Sequence, residues 1–251
     1  MKKEDFIKYK YMIVLYYYIL HKVVNSVANN KLLTQDTIMK TLDWTYDKAI
    51  NGGIPGMDTA IELAESYLQK DGTLEQKVKK LIAMQNTKSA TSGFLTGLGG
   101  VITLPVAIPA NISSVILVQM RMVAAIAYMG GYDLKDDQVK TFVYTCLAGN
   151  GAKDILKNAG VQIGKKLAIN GIKKIPFEVI KKINQAVGFR LITKFGNKGI
   201  INLGKMVPFA GGIIGGTVDA VTTNIIGNMA YNLFIENKNH DDDEPVIIDM
   251  L

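Results

Sequence analysis

Two charged residues that could do chemistry stand in apolar surroundings. Arg121 ends a run, residues 91–120, that has no charged residue, and Asp219 lies inside a second apolar segment near the C-terminus. An unpaired carboxylate is costly to bury, so we expect Asp219 to pair with Arg121 or with Thr223, one helical turn further on. The pattern favours a buried ion pair or hydrogen bond, and a ligand or ion site is the alternative.

The residue types on which most catalytic sites depend are scarce. The chain has one cysteine, Cys146, and two histidines, His21 and His240, each near a terminus. A Ser-His or Cys-His catalytic arrangement, a histidine-rich metal site and an intrachain disulfide therefore lack their residues. The glycine-rich runs also lack the Lys-Ser/Thr pair of a phosphate-binding loop. We expect no metal and no cofactor, assign no catalytic residue, and leave enzymatic activity open while favouring another role.

Positive charge is concentrated between the two apolar segments. Residues 153–205 include 12 basic and two acidic residues, so this region carries +10 while the whole chain carries +7. Such a surface attracts anionic partners, among them lipid headgroups and nucleic acid. The residues that we expect to contact an anionic surface are Lys165, Lys166, Lys173, Lys174, Lys181, Lys182, Arg190 and Lys194.

The segment KKIPFEVIKKINQAVGF predicts a basic amphipathic helix that begins at Pro176. Its apolar residues share one stripe, and Lys181 and Lys182 lie elsewhere on the circumference. Such a helix binds an anionic bilayer, or it is a solvated face that covers the core. Few aromatic residues are interleaved with the charges and no helix-turn-helix is apparent, so the pattern does not favour nucleic acid.

Prolines and glycines divide both apolar segments. Pro105 and Pro109 would cost hydrogen bonds inside a helix, so we expect a break there and a new helix over 110–129 that stops at Gly130 and Gly131. Its polar residues make it a poor transmembrane span. The second segment repeats the pattern of proline and closely spaced glycines, and we expect the two to pack together as a hairpin core, buried or shallowly embedded in a bilayer.

The remaining sequence also predicts helices. Glycines and a proline break the chain at 52–56, and amphipathic helices follow over about 57–71 and 73–86. No stretch alternates as a strand would, so we predict an all-α helical bundle with two Gly/Pro-broken apolar hairpin segments and a basic amphipathic region. We divide the chain into a Tyr-rich N-terminal helical extension, 1–41, a helical domain, 42–235, and an acidic flexible tail, 236–251.

Five blocks of the sequence together resemble the EcsC protein family of bacteria. They are TSGFLTGLGGVITLPVAIPANI, QMRMVAAIAYMGGYD, TCLAGNGAKD, GFRLITKFGNKG and PFAGGIIGGTVDAVTTNIIGNMA, within roughly residues 42–234. For the family's namesake the resemblance implies an origin beside an ABC transporter, but it supplies no reaction or ligand. The polar positions that recur in these motifs are candidates for a polar core site: Asn111, Gln119, Arg121 and Asp219.

These observations favour a cytoplasmic protein that binds peripherally to the inner face of the cell membrane. The basic region would contact anionic lipid, the apolar hairpin would insert shallowly, and a single cysteine fits a reducing compartment. One alternative is a soluble protein whose glycine-lined helices surround an apolar pocket for a fatty acid or a similar small molecule. Another is an interaction module for a membrane transporter.

Overall fold

The computed structural model describes residues 34–90, 110–161, 169–195 and 213–236 of the chain. Over these ranges the protein is all-α, as the sequence predicts, with no β-strand and one short 3-10 helix, Gly149–Gly151. The α-helices are α1 (Gln35–Asn51), α2 (Ala60–Leu68), α3 (Leu74–Ala90), α4 (Ala110–Met129), α5 (Asp137–Leu147), α6 (Ala152–Asn158), α7 (Ile169–Lys173), α8 (Phe177–Phe195) and α9 (Ile213–Phe234).

Helix α4 is the central element of the bundle. It contacts α1, α2, α3, α5 and α9, so most of its circumference is covered by other helices. The window Ile112–Met129 is long and apolar enough to cross a membrane, but 89% of it lies buried within the protein. A core helix of a soluble protein passes the same test of length and composition, and burial on this scale is what a core helix requires.

The predicted bounds of α4 are confirmed, and the structure gives each C-terminal glycine its own reason. Gly131 has φ +85°, and the amides of Gly131 and Tyr132 donate to the carbonyls of Tyr128 and Ala127, which is a Schellman end. Gly130 meets a different constraint, because a Cβ there would lie 2.5 Å from the Phe234 carbonyl oxygen. One glycine supplies the left-handed turn, and the other lets the end of α9 approach.

Helix α9 packs most extensively against α3 and also contacts α4. The two apolar segments therefore do pack together in their described parts. Gly227 allows the close approach to α3, since a Cβ at that position would lie 2.8 Å from Cγ2 of Ile82. Beside this contact Asn86 Nδ2 donates to Asn224 Oδ1 at 3.2 Å, which joins the same two helices through side-chain amides.

A polar cluster fixes α1 against α5 at the edge of the core. The Tyr144 hydroxyl donates to Asp43 Oδ1 at 2.9 Å, and Lys140 Nζ lies 2.6 Å from the same oxygen. Tyr46 packs edge-on against Tyr144 and donates its hydroxyl to the Leu134 carbonyl. Burial and the nearby Asp43 carboxylate raise the pKa of Tyr144, so its hydroxyl stays a donor at physiological pH.

The division expected between residues 41 and 42 falls inside α1. Thr34 caps this helix by accepting a hydrogen bond from the Thr37 amide, and Ile38 and Leu42 on either side of the division are both buried. Residues 34–41 are thus part of the helical core. The N-terminal residues 1–33 and the acidic tail from 237 lie outside the described residues.

Candidate functional site

Helix α8 is the amphipathic helix that the basic region predicts. The amides of Val179 and Ile180 both donate to the Pro176 carbonyl at 3.1 Å, so Pro176 stands at the N-terminus as expected. Val179 and Ile183 lie in the predicted apolar stripe and are buried. Ile172 and Ile175 are buried too, but they precede Pro176, on α7 and in the link to α8.

The opposite side of α8 is solvent-exposed and combines charge with aromatic rings. We call the outward face of α8 the exposed side chains Phe177, Glu178, Lys181, Lys182, Gln185 and Phe189. Phe177 is 74% exposed and Phe189 65% exposed. Twelve residues separate the two rings along the helix, which corresponds to roughly 18 Å of rise. Two large aromatic side chains are thus mostly exposed, one before and one after the lysine pair Lys181 and Lys182.

The sequence signal for these rings lies in helical spacing. Phe189 stands seven residues after Lys182 and four after Gln185, so it belongs with the polar side of the helix rather than with the apolar stripe. Phe177 opens the helix immediately after the proline. In the sequence the few aromatic residues of the basic region indicate only that nucleic acid is not favoured, and the structure adds their position on the charged face.

The basic residues expected at an anionic surface divide into groups. Lys165 and Lys166 lie outside the described residues. Lys173 forms an ion pair with Asp136, with Nζ 3.4 Å from Oδ2. Four of the expected residues are exposed and, within the described part of the chain, have no acidic side chain within ion-pair distance: Lys174, Lys181, Lys182 and Arg190. Lys194 is half-buried and lies near the Phe195 ring.

A pocket with a volume of about 320 Å³ lies at the C-terminal end of α8. We call it the α8–α9 pocket, because Arg190, Thr193 and Lys194 of α8 face Thr222 and Ile225 of α9 across it. The 3-10 helix closes a third side with Gly149 and Asn150, and Ala148 and Ile226 complete the lining. Two of the expected basic residues, Arg190 and Lys194, therefore meet at one cavity.

A second pocket, of about 380 Å³, lies between α1 and α8. Met39, Phe177 and Ile180 give it an apolar side, and Lys181 stands at its edge. Gln35 also lines this pocket, and its Nε2 donates a hydrogen bond to the Gln185 carbonyl oxygen at 2.9 Å. The glycine-rich runs expected to surround a fatty-acid pocket begin in residues 91–109 and 196–212, which lie outside the described residues.

Two members of the predicted polar core site are buried in the bundle, but they face different helices. Gln119 Nε2 donates to Thr223 Oγ1 of α9 at 3.3 Å. Arg121 is 3% exposed, and its Nη1 donates to the Asp58 carbonyl at 3.1 Å while Nη2 reaches Gln85 Oε1 at 3.5 Å. Burial lowers the pKa of Arg121, although a guanidinium keeps its charge in proteins.

The contacts of the other two members of the predicted polar core site, Asn111 and Asp219, are not described. Asn111 lies in the first turn of α4 and Asp219 in the second turn of α9, but both side chains lie outside the described set. The expected pairing of Asp219 with Arg121 or Thr223 stays a prediction. Among the described residues, Arg121 Nε and Gln85 Nε2 are buried without a hydrogen-bond partner.

Cys146 is fully buried on α5, as its apolar sequence context predicts. Burial raises the pKa of its thiol, which keeps it protonated and shields it from reagents. Over the described ranges, no three His, Cys, Asp or Glu side chains are grouped so that they could hold a metal ion.

Comparison with known proteins identifies the family. A model of the EcsC protein family matches residues 19–235, which is most of the chain and includes part of the N-terminal extension. The chain therefore belongs to the EcsC protein family, as the motif resemblance predicts. No curated protein and no solved structure gives a significant match.

Proposed function

We propose that this member of the EcsC protein family binds peripherally to the cytoplasmic face of a membrane through the outward face of α8. The observation that carries the proposal is the exposure of Phe177 and Phe189 on the same side of the helix as Lys181 and Lys182. A helix that lies in a bilayer interface typically combines basic residues for anionic headgroups with aromatic residues for the acyl boundary.

A purely solvated face explains the lysines but not the rings. Each exposed ring keeps apolar area in water that burial in an interface would remove, at about 25 cal/mol per Å². Isolated exposed apolar residues are common on soluble proteins, yet two phenylalanines that flank a lysine pair on one helix face form a shared apolar and cationic surface. That combination favours a face that lies in a bilayer interface over one that is only solvated.

The lysines would supply the long-range attraction. Each Lys or Arg near an anionic leaflet contributes about 1 kcal/mol, and the cytoplasmic leaflet is the anionic one. Lys174, Lys181 and Lys182 have no ion-pair partner in the described part of the chain, so no internal salt bridge has to break on binding. Shallow insertion of the apolar hairpin is a separate expectation: its second half, α4, is buried in the bundle, and its first half, residues 91–109, lies outside the described residues.

The test is flotation of the purified chain with vesicles of phosphatidylcholine and phosphatidylserine. We expect Lys181→Gln with Lys182→Gln to weaken binding by about 2 kcal/mol, or roughly 30-fold. Phe177→Ala with Phe189→Ala should weaken it by a similar amount, since each ring loses its interfacial burial. The change in vesicle affinity is read against circular dichroism, because these exposed positions should leave the helical content unchanged.

Matched controls remove the same groups from other surfaces. Lys80→Gln with Lys135→Gln deletes two exposed lysines away from α8, and Met84→Ala with Val221→Ala deletes exposed apolar side chains on α3 and α9. Both should bind vesicles nearly as the unaltered chain does. If the α8 variants weaken binding no more than these controls, the outward face of α8 is not the membrane contact, and a protein partner such as a transporter becomes the better proposal.

A further inference from the structure

We propose that the pocket between α1 and α8, which we call the α1–α8 pocket, binds an acyl-chain carboxylate such as a medium-chain fatty acid. Its volume of about 380 Å³ is at the lower end of the range for small-ligand sites, which suits one acyl chain rather than a whole phospholipid. The inference goes beyond the proposed membrane contact and does not rest on it, although Phe177 and Lys181 belong to both surfaces.

Gly188 lets the two helices that form the pocket approach closely. A Cβ at this position would lie 3.3 Å from Cγ of Gln35 and 3.4 Å from Sδ of Met39, so α8 rests on the first turns of α1. Gln35 Nε2 also donates to the Gln185 carbonyl at 2.9 Å. These contacts fix the position of Met39, which lines the pocket, relative to α8.

The apolar part of the lining consists of Met39, Phe177 and Ile180. Phe177 is 74% exposed, and Met39 is half-buried, so both have apolar surface that a ligand can cover. An acyl chain that lies against these side chains would remove that surface from water, which favours binding. The unbranched thioether of Met39 also adapts to the shape of a chain.

Lys181 supplies the charge that a carboxylate would meet. In the described part of the chain it has no acidic side chain within ion-pair distance. Asp36 is the one acidic residue among those that line the pocket, and it pairs instead with Lys40, whose Nζ lies 2.8 Å from Oδ2. Because Asp36 already has this partner, the pocket favours an anionic head over a cationic one.

The side-chain amide of Asn184 is a polar group that lines the pocket and makes no hydrogen bond in the described part of the chain. Its Oδ1 is buried without a partner. Asn184 stands three residues after Lys181, so the two side chains lie on the same side of α8. We therefore expect the amide Nδ2 and the Lys181 ammonium to donate to the two oxygens of one carboxylate.

The test is a titration of the whole chain with octanoate in the absence of vesicles, followed by NMR. We expect the backbone amide signals of Met39 and Ile180 to shift and to saturate. 1-Octanol has the same chain length and no charge, and it should bind at least about fivefold more weakly. Equal affinity for the two compounds would overturn the assignment of a carboxylate, and the absence of saturable shifts at these amides would overturn the pocket.

Two matched pairs of variants separate the pocket from the rest of the outward face of α8. Lys181→Gln should lower octanoate affinity about five- to tenfold, whereas Lys182→Gln removes a neighbouring lysine outside the lining and should keep the affinity within about twofold. Phe177→Ala should lower the affinity for octanoate and for octanol several-fold, and Phe189→Ala should change neither. Equal losses within each pair would show that octanoate binds the face as a whole, which would overturn the pocket.

Asn184→Leu tests the amide without a change in charge. The variant should weaken octanoate binding several-fold while octanol binds at least as tightly as before, because only the carboxylate uses the amide. Oδ1 has no donor to lose, so circular dichroism and the urea midpoint should show a chain as stable as the unaltered one. Unchanged octanoate affinity in this variant would contradict the role of Asn184.

Vesicle flotation of the same variants keeps the two proposals apart. Lys182→Gln and Phe189→Ala should weaken vesicle binding while leaving octanoate binding unchanged. Octanoate binding by a chain that does not bind vesicles would support the pocket and overturn the membrane proposal alone. Vesicle binding without octanoate binding would overturn the pocket alone.

Discussion

Arg121 shows what a single charged residue does at the centre of this bundle. Its guanidinium joins α4 to the Asp58 carbonyl before α2 and to Gln85 on α3, and it forms no ion pair among the described residues. A buried guanidinium that is held by neutral oxygens costs desolvation, which its hydrogen bonds offset only while their geometry is kept. Arg121 therefore links three helices, and we assign it a structural role.

Replacement of Arg121 by lysine tests that role. A lysine keeps the charge but lacks the planar fork that reaches both acceptors, so Arg121→Lys should lower the free energy of unfolding by about 1–3 kcal/mol. Arg190→Lys, on the exposed side of α8, should change it by less than about 0.5 kcal/mol. Urea unfolding measures both. Equal stability of the two variants would show that the buried hydrogen bonds of Arg121 do not hold the core together.

The raised pKa of Tyr132 predicts how the free energy of unfolding changes at alkaline pH. Burial raises the pKa of Tyr132 from 10.0 to about 12, and its ring packs edge-on against Phe234. The unfolded chain loses this proton first, so the contribution is complete below about pH 10 and is lost as pH rises toward about 12. Titration of Tyr132 should lower the free energy of unfolding by up to about 3 kcal/mol. Tyr46 and Tyr144, whose pKa values are also raised by burial, add to the same slope.

The measurement is urea unfolding of the unaltered chain and of Tyr132→Phe from about pH 8 to about pH 11. The variant should lose less stability than the unaltered chain above about pH 10, while below about pH 9 the two slopes should agree. Parallel curves over the whole range would mean that Tyr132 titrates at the same pH in the folded and unfolded states.

For single residues, the sequence predicts burial better than it predicts which residues form their hydrogen bonds. The apolar contexts of Cys146 and Arg121 indicate burial, and both are buried. The partners of Arg121 lie 63 and 36 residues away in the chain, at a separation that no local pattern encodes. The exposure of Phe189 could have been read from its helical register, but an aromatic residue on a charged face has no single meaning without the neighbouring helices.

At the scale of elements, helix ends with a strong local cause are the predictable ones. The bounds of α4 follow from Pro109 before it and from Gly130 and Gly131 after it. Helix α3, by contrast, continues past its expected end at 86 to Ala90, the last described residue before 91–109, and no glycine or proline stands at 87–90. Thr87 continues the helix with its hydroxyl bonded back to the Ala83 carbonyl. The sequence therefore gives no local signal for the end of this helix.

The contact between α3 and α9 depends on Gly227. An alanine there gains up to about 1 kcal/mol in helix propensity, but its Cβ would overlap Ile82, and overpacking of this kind costs about 1–3 kcal/mol. We expect Gly227→Ala to be net destabilising in a thermal melt. Ile82→Ala alone should cost about 2–5 kcal/mol through a cavity, which the added methyl of Gly227→Ala would partly fill.

A double-mutant cycle measures this coupling directly. The double variant should be more stable than the sum of the single changes predicts, by about 0.5–3 kcal/mol. Ile38→Val on α1, in another part of the core, serves as the uncoupled partner for Gly227→Ala. Additive effects of Gly227→Ala and Ile82→Ala would contradict the close helix contact.

At the scale of the whole molecule, the apolar and the charged parts of the sequence have separate tasks. The described part of the first apolar segment forms the central helix, so the high apolar content is largely used to build a core. Part of the positive charge lies on the outward face of α8, where Lys181 and Lys182 reach solvent. The shallow insertion predicted for the apolar hairpin does not involve α4, which is buried, and the residues of its first half, 91–109, lie outside the described part of the chain.

This separation has a consequence for the membrane binding that we propose. Because α4 is enclosed by five helices, we expect membrane binding to leave the bundle folded. A charged surface attracts anionic lipid over a Debye length of about 10 Å at moderate salt, whereas interfacial burial of rings is not screened. Salt therefore resolves the two contributions of the outward face of α8.

The most direct test is flotation with phosphatidylcholine vesicles, with and without phosphatidylserine, as sodium chloride is raised. We expect the unaltered chain to bind anionic vesicles and salt to weaken this binding without abolishing it. Phe177→Ala with Phe189→Ala should make the binding fully salt-sensitive. Failure of the unaltered chain to bind anionic vesicles at low salt would contradict membrane association. Binding that salt leaves unchanged would contradict the assignment of the attraction to the lysines of α8.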